Sequence, residues 1–381
     1  MVERHNRKGF EGDLILLTPG PITTAAAVKI SMMHDYGSRD HHVVAMSQSI
    51  RSRLVTAVFG EGEFVCVPLQ GSGTFAIEAA VGTLVPSDGG LVVLANGAYG
   101  RRIAAIGSRI GRRVRVLSDR EDEPNNVEAL DRILRSDSNL SHVAVVHCET
   151  TTGILNPVEA VAAVAERYGR RLIIDAMSSF GALQVDARAM RFDAVVSSSN
   201  KCLEGVPGIA FCVIRREALE TAPSAPSLVL DLKDQWLTFE RTGEWRFTPP
   251  VQVIAAFNTA LELWEAEGGQ PGRLGRYEAN LNALIAGMKR LGFVPYLKRE
   301  HQAPIIVTFH KPAQSFFSLE RFFKQVRRNG YLLYPGKVTN AETFRIGCIG
   351  AITEREINGA VEAIEQALAI LSEPSETEPR E

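Results

Sequence analysis

The sequence predicts an α/β protein in which a large, mostly parallel sheet is followed by a smaller α+β layer. Two observations carry this reading. Between residues 64 and 214, short runs rich in Val and Ile (64–69, 91–95, 114–117, 143–147, 172–175, 194–198 and 209–214) alternate with segments of helical period. Runs that are apolar along their whole length and separated by helices mark parallel strands covered on both faces. Beyond residue 255 the pattern changes to two long helical segments and then mixed strands and helices.

The first run leads into Gln70-Gly71-Ser72-Gly73-Thr74, which opens a helix with Ile77, Ala80, Val81 and Leu84 on one face. Ile103, Ile106 and Ile110 define the next helical face, and Val158, Val161, Val164 and Ala165 another. Residues 221–252 break the alternation, with Pro223, Pro226, Pro249 and Pro250 around Trp236, Trp245 and Phe247. They read as a crossing segment held against the body, because those rings are costly to leave in water. A helix over 254–265 follows, then one carrying Tyr277, Leu281, Leu284, Ile285, Met288 and Leu291. A strand at 305–309, a helix at 319–328, strands near 331–334 and 344–346, and a helix over 354–371 complete the chain. The expected division is a large domain over 14–255, including an N-terminal arm, a small domain over 256–371 and a frayed acidic tail over 372–381. No repeat of fixed period is present, which excludes a solenoid.

Composition narrows the function. The 381 residues are 45% hydrophobic and 23% charged, as in folded globular chains. Lys and Arg total 42 against 44 Asp and Glu, a net charge of −2, which argues against a dedicated nucleic-acid binder. The Arg-rich stretch 101–115 reads as the solvated face of a helix and the strand after it. No apolar run reaches the roughly 18 residues that cross a bilayer. The first residues are polar and lack a signal core, so a cytoplasmic protein is expected. The five cysteines, Cys66, Cys148, Cys202, Cys212 and Cys348, are odd in number and widely spaced, which predicts free thiols. The eight histidines show no metal-ligand spacing; the adjacent His41 and His42 read as a loop pair, and no metal is expected.

Three stretches can carry chemistry. Ser72, Gly73 and Thr74 stand where a helix N-terminus offers free N–H groups and a partial positive charge to a phosphate. Asp175 closes the buried run Leu172-Ile173-Ile174-Asp175, where α/β sheets present groups to ligands. Lys201 follows the run Ser197-Ser198-Ser199-Asn200; in apolar surroundings such an amine is depressed in pKa and nucleophilic. Taken singly, an N-capped turn, a loop carboxylate and a solvated lysine are the plainer alternatives. Together, a phosphate cradle, a strand-end Asp and a strand-end Lys 26 residues later follow the order that pyridoxal phosphate requires.

In this the chain resembles the fold-type-I pyridoxal-phosphate enzymes, the aspartate aminotransferase-like fold. Leu17-Thr18-Pro19-Gly20-Pro21, Asn96-Gly97-Ala98-Tyr99-Gly100, Glu149-Thr150-Thr151-Thr152-Gly153 and Asn200-Lys201-Cys202 are similar to the class V aminotransferases. Asp175-Ala176-Met177-Ser178-Ser179-Phe180-Gly181, Gly205-Val206-Pro207-Gly208, Trp245-Arg246-Phe247-Thr248-Pro249-Pro250, Tyr334-Pro335-Gly336-Lys337 and Phe344-Arg345-Ile346-Gly347 resemble the branch that moves the amino group of 2-aminoethylphosphonate to pyruvate. The resemblance spans about residues 14 to 370.

The resemblance implies pyridoxal 5'-phosphate as cofactor, Lys201 as the Schiff-base lysine and Asp175 as the partner of the ring nitrogen. It implies Ser72, Gly73 and Thr74 at the phosphate, Tyr99 and Met177 against the two ring faces, Thr150 near the ring hydroxyl, and Asn200 in the cofactor site. Thr248 is expected at the phosphate of a neighbouring subunit's cofactor, so a homodimer shares its sites. Arg345 is expected to grip the acid group of the substrate, with Gly20 beside it. The implied reaction gives phosphonoacetaldehyde and L-alanine. An alanine– or serine–glyoxylate aminotransferase is the alternative within the fold. A cysteine desulfurase-like lyase is a further one, but such enzymes stack a His on the ring and use a loop Cys, where this chain has Tyr99 and strand-bound Cys348. Pro249-Pro250-Val251-Gln252 and the loop Tyr36-Gly37-Ser38-Arg39-Asp40-His41-His42 depart from the family and bear on substrate rather than cofactor.

Overall fold

A central seven-stranded sheet organises the chain, seen in a computed structural model that describes residues 13–373. In chain order its strands are β1 (Phe64–Gly71), β2 (Gly90–Ala95), β3 (Arg113–Ser118), β4 (Leu140–Val146), β5 (Arg171–Asp175), β6 (Ala194–Ser198) and β7 (Gly208–Arg215). Their spatial order is β1-β7-β6-β5-β4-β2-β3, and only β7 runs antiparallel to its neighbours. The sheet is therefore mostly parallel, as the continuous apolar runs predict.

Each strand divides its side chains between two cores. Cys66, Val92, Leu94, Val143, Val145 and Ile174 face one layer of helices. Val65, Val67, Leu91, Val93, Ala144 and Ile173 face the other. On the first face lie α1 (His41–Thr56), α4 (Val127–Ser136), α5 (Val158–Arg167) and α7 (Val251–Ala266), and on the second α2 (Gly73–Leu84), α3 (Ala98–Arg109) and α6 (Leu232–Thr242). Alternation of side chains across a pleat makes this division automatic once both faces are covered.

Two elements differ from expectation. Residues 221–252 contain α6, a helix the proline-rich flanks concealed. Asp231 caps its start by accepting from the Asp234 amide, and Gly243, at φ 73, ends it. Trp236 is buried as expected, but Phe247 stays 44% exposed. The second is β3, which is apolar at alternate positions but forms the sheet edge, so Val116 is 44% exposed rather than buried.

A second layer follows α8 (Gly269–Arg290). Strands β8 (Ile306–His310), β9 (Tyr334–Pro335) and β10 (Thr343–Gly347) form an antiparallel sheet with β10 central. Helices α9 (Leu319–Arg328) and α10 (Glu354–Ser372) cover it. Phe293, Phe309, Phe322 and Phe344 meet there, with Phe322 and Phe344 ring centroids 5.3 Å apart. The N-terminal segment Ile15–Leu16 pairs with Tyr331–Leu332, and Leu17 joins the same core, so the chain start is tied to this layer. Most of the expected tail, residues 374–381, lies outside the described residues.

His142 on β4 and His147 just after it are buried, and burial pushes their imidazoles down to about 3 and about 4. An unfolded His titrates near pH 6.5, so as the pH falls from there toward about 4 the unfolded chain binds protons that the folded chain refuses. Stability is lost across that window. Between about pH 7 and about pH 4, His147→Gln is expected to lose about 3 kcal/mol less stability than the wild type. Urea titrations of both proteins check this, and parallel losses contradict it.

Candidate active site

The carboxyl ends of β1, β2, β5 and β6 lie along one edge of the sheet, and a cavity of about 210 Å³ opens there. It brings together most of the residues singled out in the sequence. Ser72, Gly73 and Thr74 enter from the start of α2, Tyr99 from the start of α3, Asp175 and Met177 from the end of β5, and Asn200 and Lys201 from the turn after β6.

At α2, Ser72 is the N-cap residue, but its hydroxyl caps nothing in the helix. Gly73 and Thr74, whose N–H groups have no intrahelical acceptor, line the cavity. Gly73 has no room for a side chain, since an added Cβ would collide with the Met177 thioether.

Asp175 is 5% exposed and accepts from the Met177 amide at 2.9 Å. Burial pushes its carboxyl up to about 7; the nearby Glu149 adds to this, while the Met177 amide, Lys201 and Arg102 oppose it. The Lys201 amine donates to the Pro19 carbonyl. Burial lowers its pKa, against the pull of Tyr99, Cys202 and Asp175. Gly20 packs on this side chain at φ 129, and an added Cβ would lie 2.5 Å from Lys201 Nζ. Glycine is needed here for both the backbone conformation and the close approach.

Tyr99 lines the same cavity. Burial opposes its ionisation, yet Lys201, a hydrogen bond with Thr150, Lys337 and Arg345 together bring the phenol below its usual value. Arg345, on β10, is 2% exposed. Its Nη1 donates to the Thr150 carbonyl at 2.7 Å and its Nε to the Pro335 carbonyl at 3.0 Å. Nη2 has no partner among the described residues. Thr248 is exposed and does not line the cavity of its own chain.

Sequence reasoning missed three contributors. Arg102, assigned to a solvated face, turns to the cavity mouth, where Nη1 reaches the Thr74 hydroxyl at 3.3 Å and the guanidinium sits 5.0 Å from the Tyr99 ring centroid. Lys337 lies 5.2 Å from the same centroid. Glu149 is fully buried and accepts from the Tyr99 and Gly100 amides at 3.0 and 3.2 Å, and from the Thr151 amide and hydroxyl at 3.0 and 2.6 Å. It caps the start of α3, and the missing Cβ of Gly97 leaves space for it. Its only signal in the sequence is an acid beside Thr150, distant in the chain from the Tyr99 it orients.

The class V aminotransferase profile matches residues 27–315 of the chain. Enzymes named 2-aminoethylphosphonate–pyruvate transaminase are 52% identical to it in Pseudomonas aeruginosa PAO1, over 93% of this chain and 96% of that one, and in Polaromonas sp. JS666, over 94% and 97%.

The chain belongs to the class V aminotransferases.

It is therefore an aminotransferase, and pyridoxal phosphate is its cofactor. Among solved structures, the alanine–glyoxylate aminotransferase of Nostoc sp. superposes with a TM-score of 0.86 at 23% identity, covering 96% of this chain and 98% of that one. The pyridoxamine–pyruvate aminotransferase of Mesorhizobium loti gives 0.85 at 23% identity, covering 97% and 95%. At these identities the likeness establishes the fold.

Gly20→Ala is expected to cost on the order of 1–3 kcal/mol in unfolding free energy, because it adds both backbone strain and an overlap with Lys201. Urea denaturation measures this, and an unchanged midpoint contradicts the close packing.

Proposed function

We propose that this aminotransferase takes the amino group of 2-aminoethylphosphonate and gives it to pyruvate, yielding phosphonoacetaldehyde and L-alanine. The observation that carries the substrate assignment is the 52% identity, over nearly full length, to relatives that bear that activity in their names.

The cleft suits pyridoxal phosphate at both charged ends. Asp175, raised to about 7 by burial, is a carboxyl in want of a cation, and a protonated ring nitrogen supplies one in a charge-assisted hydrogen bond. At the other end the free amides of α2, the hydroxyls of Ser72 and Thr74, and Arg102 suit a phosphate. When bound, the cofactor supplies a carbon that exchanges one amine for another and a ring that accepts the electron pair released at the donor carbon.

The chain's own groups do the rest. Lys201 Nζ, its charged form disfavoured by burial, would anchor the cofactor and would serve as the base that takes the proton from the donor carbon. Asp175 would hold the ring nitrogen protonated. Tyr99 and Met177 would flank the ring, with Asn200 beside Lys201, and Thr150 would serve the ring hydroxyl. Arg345, fixed by the Thr150 and Pro335 carbonyls, offers Nη2 to the phosphonate of the donor or the carboxylate of pyruvate, with Gly20 alongside. Thr248, exposed in its own chain, is assigned to the cofactor phosphate of a second copy, which makes a homodimer the working unit. The large domain over 14–255 supplies the cofactor residues, and the small one over 256–371 supplies Arg345. A cytoplasmic location is supported by five free, buried cysteines.

A lyase that works through a reactive thiol is disfavoured by the same cysteines. Cys348 is buried on a backbone-bonded segment, and burial pushes its thiol up to about 12.

Borohydride reduction of the holoenzyme and peptide mapping are expected to place the label on Lys201, and a label elsewhere overturns the assignment. Asp175→Ala is expected to lower kcat on the order of 10³-fold, and a near-normal turnover number removes Asp175 from the scheme. 2-Aminoethylphosphonate is expected to bleach the visible cofactor band in a single half-reaction, with pyruvate restoring it. Bleaching by alanine or serine and restoration by glyoxylate, without a response to the phosphonate, favours a glyoxylate-linked enzyme instead.

A further inference from the structure

The turn that carries Lys201 is closed by a residue in an unfavourable conformation. Glu204 has φ 58, in the left-handed region that side chains other than Gly and Asn rarely adopt. Its amide donates to the Lys201 carbonyl at 2.9 Å, and the next amide, of Gly205, to the Ser199 carbonyl at 2.8 Å. A left-handed glutamate persists only where its surroundings over-determine it.

Those surroundings are a largely buried charge cluster built from α8 and Glu267 just before it. The Glu204 carboxylate is nearly buried and accepts from the Tyr277 hydroxyl at 2.6 Å and from Arg276 Nη2 at 2.8 Å; Arg273 Nη1 is 3.5 Å away. Arg273, 1% exposed, also donates to the Cys202 carbonyl, one residue past Lys201. Glu267 pairs with Nε of Arg273 and Arg276 at 2.8 and 2.7 Å. Arg276 Nη1 then reaches the Gly350 and Ile352 carbonyls at 2.6 and 2.8 Å, just past the strand that bears Arg345. A cavity of about 850 Å³ borders this cluster. Two carboxylates answer two guanidiniums there, so it presents no uncompensated charge to a ligand, and the cluster works as a clamp.

We propose that Glu204 is a positioning residue: held by Arg273, Arg276 and Tyr277, it fixes the Lys201–Glu204 turn and with it the depth at which the Lys201 amine enters the cleft. The inference rests on Lys201 as the lysine that captures the cofactor. Opposite the turn, the Pro19 carbonyl and Gly20 grip the same side chain, so the amine is located from both ends. Removing the Glu204 carboxylate leaves the buried Arg273 and the half-buried Arg276 each short of a partner and frees the turn to relax.

The test uses full-length Glu204→Gly, Glu204→Gln and Tyr277→Phe proteins, each stripped of cofactor and then mixed with pyridoxal phosphate. Glycine removes the backbone strain and the clamp together. Capture, read as growth of visible absorbance, and kcat are both expected to fall about tenfold or more in Glu204→Gly, with KM for the amino donor within about twofold of wild type. Glu204→Gln, which can still accept from Tyr277 and Arg276, is expected to restore part of both rates. Tyr277→Phe, the milder lesion, gives a smaller slowing of the same kind and serves if Glu204→Gly does not fold. Wild-type capture rates in Glu204→Gly overturn the proposal. So does a loss of thermal stability alone, with both rates unchanged in every variant that folds. Borohydride mapping of the wild type separates the two claims, because a label away from Lys201 defeats the lysine assignment whatever the variants do.

Discussion

A buried carboxyl and a buried amine share one cleft, and neither is fully answered by the chain around it. Asp175 accepts from one backbone amide, with Lys201 and Arg102 favouring its charge and Glu149 opposing it; Lys201 donates to a backbone carbonyl. Their burial disfavours charge on both, which holds the amine ready as a nucleophile and the carboxyl ready for a cationic partner. The sheet sets their spacing, since the two come from neighbouring strands β5 and β6 at the same edge. The amides of α2 set the position of a phosphate relative to both.

The supports around the pair are themselves buried polar groups, and each is paired. Glu149 takes four donors and thereby fixes the start of α3 and the segment of Thr150. Arg345 is pinned to that segment through the Thr150 carbonyl. Glu204, Arg273 and Arg276 tie the lysine turn to α8 and to the loop after β10. Charges of this kind gain little net stability over apolar residues of the same size, but they tolerate only one geometry. The site is thus positioned by groups from both layers of the molecule, so the packing of one layer on the other is part of its chemistry.

Gly73, Asp175 and Lys201 were legible because each follows an apolar run of strand length, and the carboxyl ends of parallel strands converge in any sheet of this type. Helix α6 was not, because its capping residues lie among prolines and its apolar face is short. β3 read as a buried strand because 114–117 is rich in Val like the other runs, while its place at the sheet edge depends on the order in which strands pair. Arg102 read as solvated, and it is exposed like Arg101 and Arg109 on the same helix; only the approach of the α2 turn also brings it to the cleft.

The sequence by itself determined the alternation of strands and helices and the residues at strand ends. These follow from local periodicity and backbone sterics, which act over a few residues. Tertiary structure alone decided which strand became an edge, that the chain start joins the second layer, and that Glu149 and Glu204 stand behind Tyr99 and Lys201. Those outcomes rest on contacts between segments far apart in the chain, where burial and charge pairing, not local preference, select the arrangement.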